Sequence, residues 1–233
     1  MAQHNISLST LQNLVKRDPH AYKDDALRVI HHFASLLAIL HASPAAMPPV
    51  DFLQNLAFVA HVAPHFPDHA KALPDELGGL LDTSHDALDP TVRRALLQAL
   101  ILLRNRGMLQ PLPLLQRCFR LFACRDKVLR ERLYQHVVSD IKAVNKKHRD
   151  QPLNRALQNF VIGMLGEANR TAAKFALRAM IELYRRHVWR DARTINVVAV
   201  AVFCPHSALR VAALQFLLGA HDQADAADSD EEA

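Results

Sequence analysis

Glycine is scarce in this 233-residue chain, with 6 in all, and so are cysteine, with 3, tyrosine, with 3, and tryptophan, with 1. So few glycines leave little of the backbone freedom that tight β-turns need, which argues against a sandwich or barrel. Cys118, Cys124 and Cys204 make no disulfide framework, and their separations lack the two-residue spacing of zinc knuckles and redox motifs. They read as small core residues. The apolar runs, 95–103 and 197–203, are far shorter than the roughly 20 residues of a membrane-spanning helix. The N-terminal MAQHNISLST has neither the basic start nor the apolar stretch of a secretory signal, so an intracellular, reduced protein is expected.

Motifs of chemistry are missing as well. There is no Gly-x-Ser-x-Gly elbow, no glycine-rich phosphate loop and no His-Glu-x-x-His helix. Among the 14 histidines the sharpest cluster is His61, His65 and His69, but Pro64 and Pro67 interrupt the helix that would align the three rings. No catalytic, metal or cofactor residue is expected, and neither a small-molecule substrate nor a membrane as partner.

What is present is helix-forming: half of the residues are hydrophobic, and Leu and Ala abound. Apolar stripes at three-to-four spacing recur between capping residues and prolines. Leu8, Leu11, Leu14 and Val15 mark a first helix ended by Asp18-Pro19, and Ala26, Val29, Ile30, Phe33, Leu37 and Leu40 trace a second. A third runs over about 50–63, whereas the pattern in 68–82 assigns no element. Asp89-Pro90 is an N-cap with proline in the first turn, and Gly107 suits a left-handed helix end. Further helices are expected at about 112–123, 126–149, 153–167, 170–188, 191–203 and 207–220.

Alternate helix starts near 90, 127, 170 and 207 lie 37, 43 and 37 residues apart, the period of antiparallel helix pairs in HEAT or armadillo arrays. The expected fold is therefore an all-α, HEAT/armadillo-like α-solenoid over 1–221. The acidic segment 222–233, with no apolar residue beyond Ala, is expected as a disordered tail or linker.

Charge is segregated along the chain. Residues 1–90 carry 5 Lys and Arg against 10 Asp and Glu, residues 91–210 carry 23 against 7, and residues 211–233 carry none against 6. The middle is basic enough to concentrate polyanions, with RNA the commonest such partner. Solvated faces of a Lys- and Arg-rich repeat array are the competing reading.

Two centres carry this charge. In CRDKVLRERLYQHVVSDIKAVNKKHRD, residues 124–150, Asp126 caps a long helix and Leu129, Leu133, Val137, Ile141 and Val144 form its buried stripe. Lys142, Lys146 and Arg149 fall on another face, with Lys147 and Arg132 nearby. The second centre, Arg185, Arg186, Arg190 and Arg193, surrounds an inter-helix turn that holds Trp189. That ring either stacks on a base or fills a gap between repeats, and for a lone aromatic packing is favoured. These nine cations are the candidate nucleic-acid-binding residues.

The stretches LDPTVRRALLQALILLRNRG, LFACRDKVLRERLYQHVVSDIKAVNKKHR, LNRALQNFVIGML and TAAKFALRAMIELYRRHVWRDARTINVVAVAVF resemble the N-terminal region of the SDA (severe depolymerisation of actin) family, across nearly the whole chain. The resemblance implies a non-enzymatic factor of nucleus and nucleolus, needed to assemble the large (60S) ribosomal subunit and export its precursor. Implied partners are the pre-60S particle, its rRNA, ribosomal proteins and other assembly factors. It also implies a longer protein, of which this chain is the N-terminal helical domain, and a link to actin organisation for which no actin-binding segment is visible. A protein-binding transport adaptor without RNA contact is the alternative.

Overall fold

The computed structural model describes residues 7–147, 150–166 and 169–219. Among them there is no strand, and no helix is long and apolar enough to cross a membrane. The chain divides into two compact units, Met1–Glu131 and Arg132–Ala233.

The first unit contains α1 (Leu8–Arg17), α2 (Lys23–Ala42), α3 (Phe52–Val62), α4 (Pro67–Ala70), α5 (Leu73–Ser84), α6 (Pro90–Asn105) and α7 (Pro111–Leu121). α3 lies at its centre because it is apolar on most sides, with Phe52, Leu56, Phe58, Val59 and Val62 all buried. It packs against α1, α2 and α6, and Phe33 of α2 meets Phe52 at 5.5 Å between ring centroids. Residues 68–82, which the sequence pattern left open, are largely helical. Proline is tolerated in a helical first turn, so Pro67 and Pro74 start α4 and α5 rather than break them. Leu77, Leu80 and Leu81 then form a fully buried stripe that the Gly78-Gly79 pair obscures in the sequence. A Cβ at Gly78 would overlap the Arg117 guanidinium, which pairs with Asp82 at 3.3 Å, so a larger residue there would have to displace that side chain.

Cys118 and Cys124 are buried, and Cys124 is more than filler. Its Sγ accepts from Arg93 Nη1 at 2.6 Å, while Arg93 Nη2 donates to the Leu88 carbonyl at 2.9 Å. His61, His65 and His69 fall on α3, a 3₁₀ turn over Ala63–His65, and α4. Among the described residues no three His, Cys, Asp or Glu side chains cluster as a metal site would need.

α8 (Lys127–Lys147) leads into the second unit, which continues with α9 (Gln151–Gly163), α10 (Arg170–Arg185), α11 (Ala192–Ala201) and α12 (Ser207–Leu217). α10 packs against α9, α11 and α12. Small residues on α10, including Ala172, Ala173 and Ala176, allow close approach, and Leu177, Ile181, Val198, Leu209 and Ala213 complete a core. The starts of α6, α8, α10 and α12 match the repeat period read from the sequence, so the fold is an all-α array of HEAT type.

Candidate nucleic-acid interface

The basic surface begins with the phase of α8. Asp126 Oδ1 accepts the Leu129 amide at 3.0 Å, which fixes where the helix starts. Leu129, Leu133, Val137, Ile141 and Val144 are all buried, so the 3.6-residue period leaves Arg132, Lys142 and Lys146 exposed. Lys142 and Lys146, one turn apart, have no ion-pair partner among the described residues. The Lys147 side chain, Arg149 and residues 220–233 lie outside what the structure describes.

The inter-helix turn at 186–191 lines the same cleft as α8 through Arg186, His187 and Val188. α10 ends in a six-to-one closure, the Val188 amide donating to the Leu183 carbonyl at 2.9 Å and the His187 amide to Tyr184 at 3.0 Å. This motif needs a left-handed residue at its apex. His187 takes it, with φ of 58°. Arg190 Nη1 lies 3.2 Å from His187 Nδ1. Because arginine only donates, Nδ1 is the acceptor in this contact.

Trp189 is 1% exposed, so it packs in the core and offers no face to a base. Its Nε1 donates to Asn154 Oδ1 at 2.7 Å. The same oxygen accepts from Asn145 Nδ2 at 2.9 Å, and Asn145 Nδ2 also donates to the Ile141 carbonyl at 2.9 Å. An indole nitrogen is a donor only, so it dictates which end of the Asn154 amide faces it, and Asn154 in turn orients Asn145.

These residues line one cleft of about 420 Å³, to which Lys142, Lys146, Arg186 and His187 contribute together with the part-buried Asn145 and Asn154. Its one carboxylate, Asp150, accepts the Leu153 amide at 3.0 Å as the cap of α9. A second cleft shares Gln151 and Asn154 and is flanked by Arg155 and Arg193. There Gln158, buried, donates to Asp191 Oδ2 and Thr194 Oγ1, each at 2.9 Å. Burial works to raise the Asp191 pKa, but the Thr194 amide, Gln158 and the Thr194 hydroxyl outweigh it and hold it below the usual carboxylate value.

The two basic centres, 40 residues apart in sequence at Lys146 and Arg186, therefore meet in one cleft. Lys142, Lys146 and Arg186 come together, and Arg193 joins Arg155 at the neighbouring cleft. Arg132, Arg185 and Arg190 are exposed but line neither. Arg186 also pairs with Glu182 one turn earlier on α10. Asn145, Gln151, Asn154, Arg155 and His187 were not singled out by charge and spacing. Only Arg155 carried a signal, a lone cation on α9. The amides become visible only when Trp189 closes on a residue 35 positions away.

Helices that pair at this repeat period define the class: a HEAT-type helical-repeat protein. A model of the family described as "SDA1, HEAT repeat" matches residues 58–233. "Protein SDA1 homolog" of Xenopus laevis is 43% identical over 213 residues, covering 91% of this chain and 31% of its own length. The protein of the same name in Dictyostelium discoideum is 38% identical over 232 residues, 100% of this chain and 30% of its own. "Protein sda1" of Schizosaccharomyces pombe is 28% identical over 247 residues, 97% of this chain and 34% of its own. The chain belongs to the SDA1 family and spans about a third of the length of these relatives.

Proposed function

We propose that this chain is a non-enzymatic assembly factor of the nucleus and nucleolus that acts on the large (60S) ribosomal subunit precursor, supporting its maturation and export, with the second unit lying against rRNA. The observation that carries the reading is the shared cleft in which Lys142, Lys146 and Arg186 converge from two helices. Lys142 and Lys146, exposed and without a carboxylate partner among the described residues, are free to exchange counterions for phosphates, the main source of RNA affinity, while Arg186 is shared with Glu182. Membership in the SDA1 family supports the ribosomal setting, and ribosomal proteins and other assembly factors are the expected neighbours.

Binding of an rRNA fragment should weaken steeply with salt, log affinity falling by about 0.7 to 0.9 per decade of salt for each phosphate neutralised. Reversing Lys142, Lys146, Lys147 and Arg149 to Glu should flatten that slope and release the chain from precursor particles while its melting temperature holds. Affinity indifferent to salt and to these reversals would sink the RNA-facing reading.

A transport adaptor that grips proteins is the second reading. It is favoured by Val200 and Phe203, 69% and 86% exposed, beside an apolar cleft lined by Ile162, Leu165, Val197 and Leu209. Ribonuclease separates the two. Association that survives complete RNA digestion, with no rRNA binding by the isolated chain, would favour the adaptor.

A further inference from the structure

We infer that the cleft between α8, the start of α9 and the α10–α11 turn is a site for one unpaired ribonucleotide, an inference that rests on the RNA-facing reading above. Positive charge alone would serve any polyanion, duplex or single strand. The amides that line this cleft are more selective. With Asn154 Oδ1 committed to Trp189 Nε1 and Asn145 Nδ2, and Asn145 Nδ2 committed to the Ile141 carbonyl as well, the two amides keep one acceptor, Asn145 Oδ1, and one donor, Asn154 Nδ2. Neither atom has a partner among the described residues, and both residues line the cleft.

A free donor and a free acceptor on two amides that are hydrogen-bonded to each other match the mixed pattern of a nucleobase Watson–Crick edge, which every unpaired base presents and every paired base has already used. In an A-form duplex the bases are moreover shielded in a deep, narrow major groove. The orientation of the amide pair is set by a buried indole, so the site is built before a ligand arrives.

His187 is the second, independent observation. A non-glycine residue with φ of 58° is uncommon, and it stands at the lip of this cleft. Arg190 holds its ring through Nδ1. Imidazole is one of the side chains on which splayed bases stack, and the helix closure holds this one among the residues that line the cleft. The roles divide accordingly: Lys142, Lys146 and Arg186 take the phosphates, His187 the face of the base, and Asn145 and Asn154 its edge. Arg155 and Arg193 in the adjoining cleft would meet the next phosphate along the strand.

The test compares oligouridylate, which stays unstructured, with a perfect RNA duplex of equal length, each titrated onto the 233-residue chain by fluorescence anisotropy. The single strand should bind about tenfold or more tightly than the duplex at equal salt. Asn145→Ala leaves the Trp189–Asn154 bond in place and changes no charge. It should weaken the single strand by about tenfold without altering the salt slope, and leave duplex binding and the melting temperature unchanged. The Asn154 side-chain amide signals in an NMR titration should shift with oligouridylate and not with duplex. Equal affinity for the two RNAs, or an Asn145→Ala effect that lowers the melting temperature and both affinities together, would overturn the nucleotide site while leaving a basic RNA-facing surface intact. Failure of both RNAs to bind would overturn the site and the reading beneath it.

Discussion

The ends of α6 and α10 are the same device built twice. Each closes a 16-residue helix, one capped by Asp89 and the other by Asn169, and each ends with the amide three residues past the helix folding back. Met108 donates to the Leu103 carbonyl at 3.0 Å, and Val188 to Leu183 at 2.9 Å. The apex residue differs: Gly107 with φ of 80° in the first unit, His187 with φ of 58° in the second. Glycine adopts that conformation without steric strain and contributes nothing further. Histidine adopts it against its Cβ, and in exchange places a ring at the lip of the basic cleft. The residues that follow also diverge, Leu109 being half-buried and Trp189 fully so. At the end of α6, where no residue lines the basic cleft, the turn is relaxed. Where it borders the candidate interface, the turn is strained and then anchored by a large buried side chain.

The anchor should dominate. Trp189→Ala removes the largest fully buried side chain and the donor that orients Asn154, and should cost the second unit about 3 to 5 kcal/mol in urea denaturation. Leu109→Ala, at the matching place in the first unit, should cost less than about 2 kcal/mol. Equal losses would remove the distinction between the two turns.

Next in size come the aspartates that open the following helices. Asp126 holds Arg94 through two hydrogen bonds at 2.8 and 2.9 Å and caps α8, whereas Asp191 caps α11 and holds the neutral Gln158. Each substitution to Ala should destabilise by about 1 to 3 kcal/mol at neutral pH. At Asp126 burial works to raise the pKa, but the bonds from Arg94 and the Leu129 amide outweigh it, so the folded value lies below 3.8, as it does at Asp191. A depressed pKa stabilises fully above the unfolded value and is lost as pH falls through the folded one. The gap between wild type and either variant should therefore close as pH drops below about 4. A gap that widens on acidification would contradict these assignments.

The smallest effect is the most diagnostic. His187→Gly should stabilise the second unit by about 0.5 to 1 kcal/mol by relieving the left-handed histidine, while Gly107→His should destabilise the first by about 1 kcal/mol. The same His187→Gly variant should lose affinity for single-stranded RNA, separating stability from binding. A His187→Gly variant that is less stable than wild type would mean that the ring contributes to packing, and the contrast between the turns would fail.

Much of this architecture is legible along the chain because its causes are local. The stripe Leu129, Leu133, Val137, Ile141 and Val144 follows from helical phase alone, and all five residues are buried. The Asp89-Pro90 start and the Gly107 stop are written in cap chemistry, and the structure uses both. The outward direction of Lys142 and Lys146 follows from the same phase. The helix over 73–84 is harder to read, since Pro74 and the Gly78-Gly79 pair look like breakers until Leu77, Leu80 and Leu81 are seen against their neighbours. His187 reads as one more surface residue, because a left-handed conformation in a non-glycine residue leaves no mark in composition.

What the sequence determined by itself is the helical repeat, its period and the basic character of its middle, because capping, side-chain phase and charge depend on neighbours within a few turns. What only the tertiary structure decided is that Lys142, Lys146 and Arg186 share one cleft and that a pair of oriented amides lines it. Those facts arise where Trp189 folds onto Asn154 across 35 residues, a contact selected by burying an indole and satisfying its single donor together. Within the basic middle read from charge alone, the second unit thereby has a place where cations from two helices adjoin.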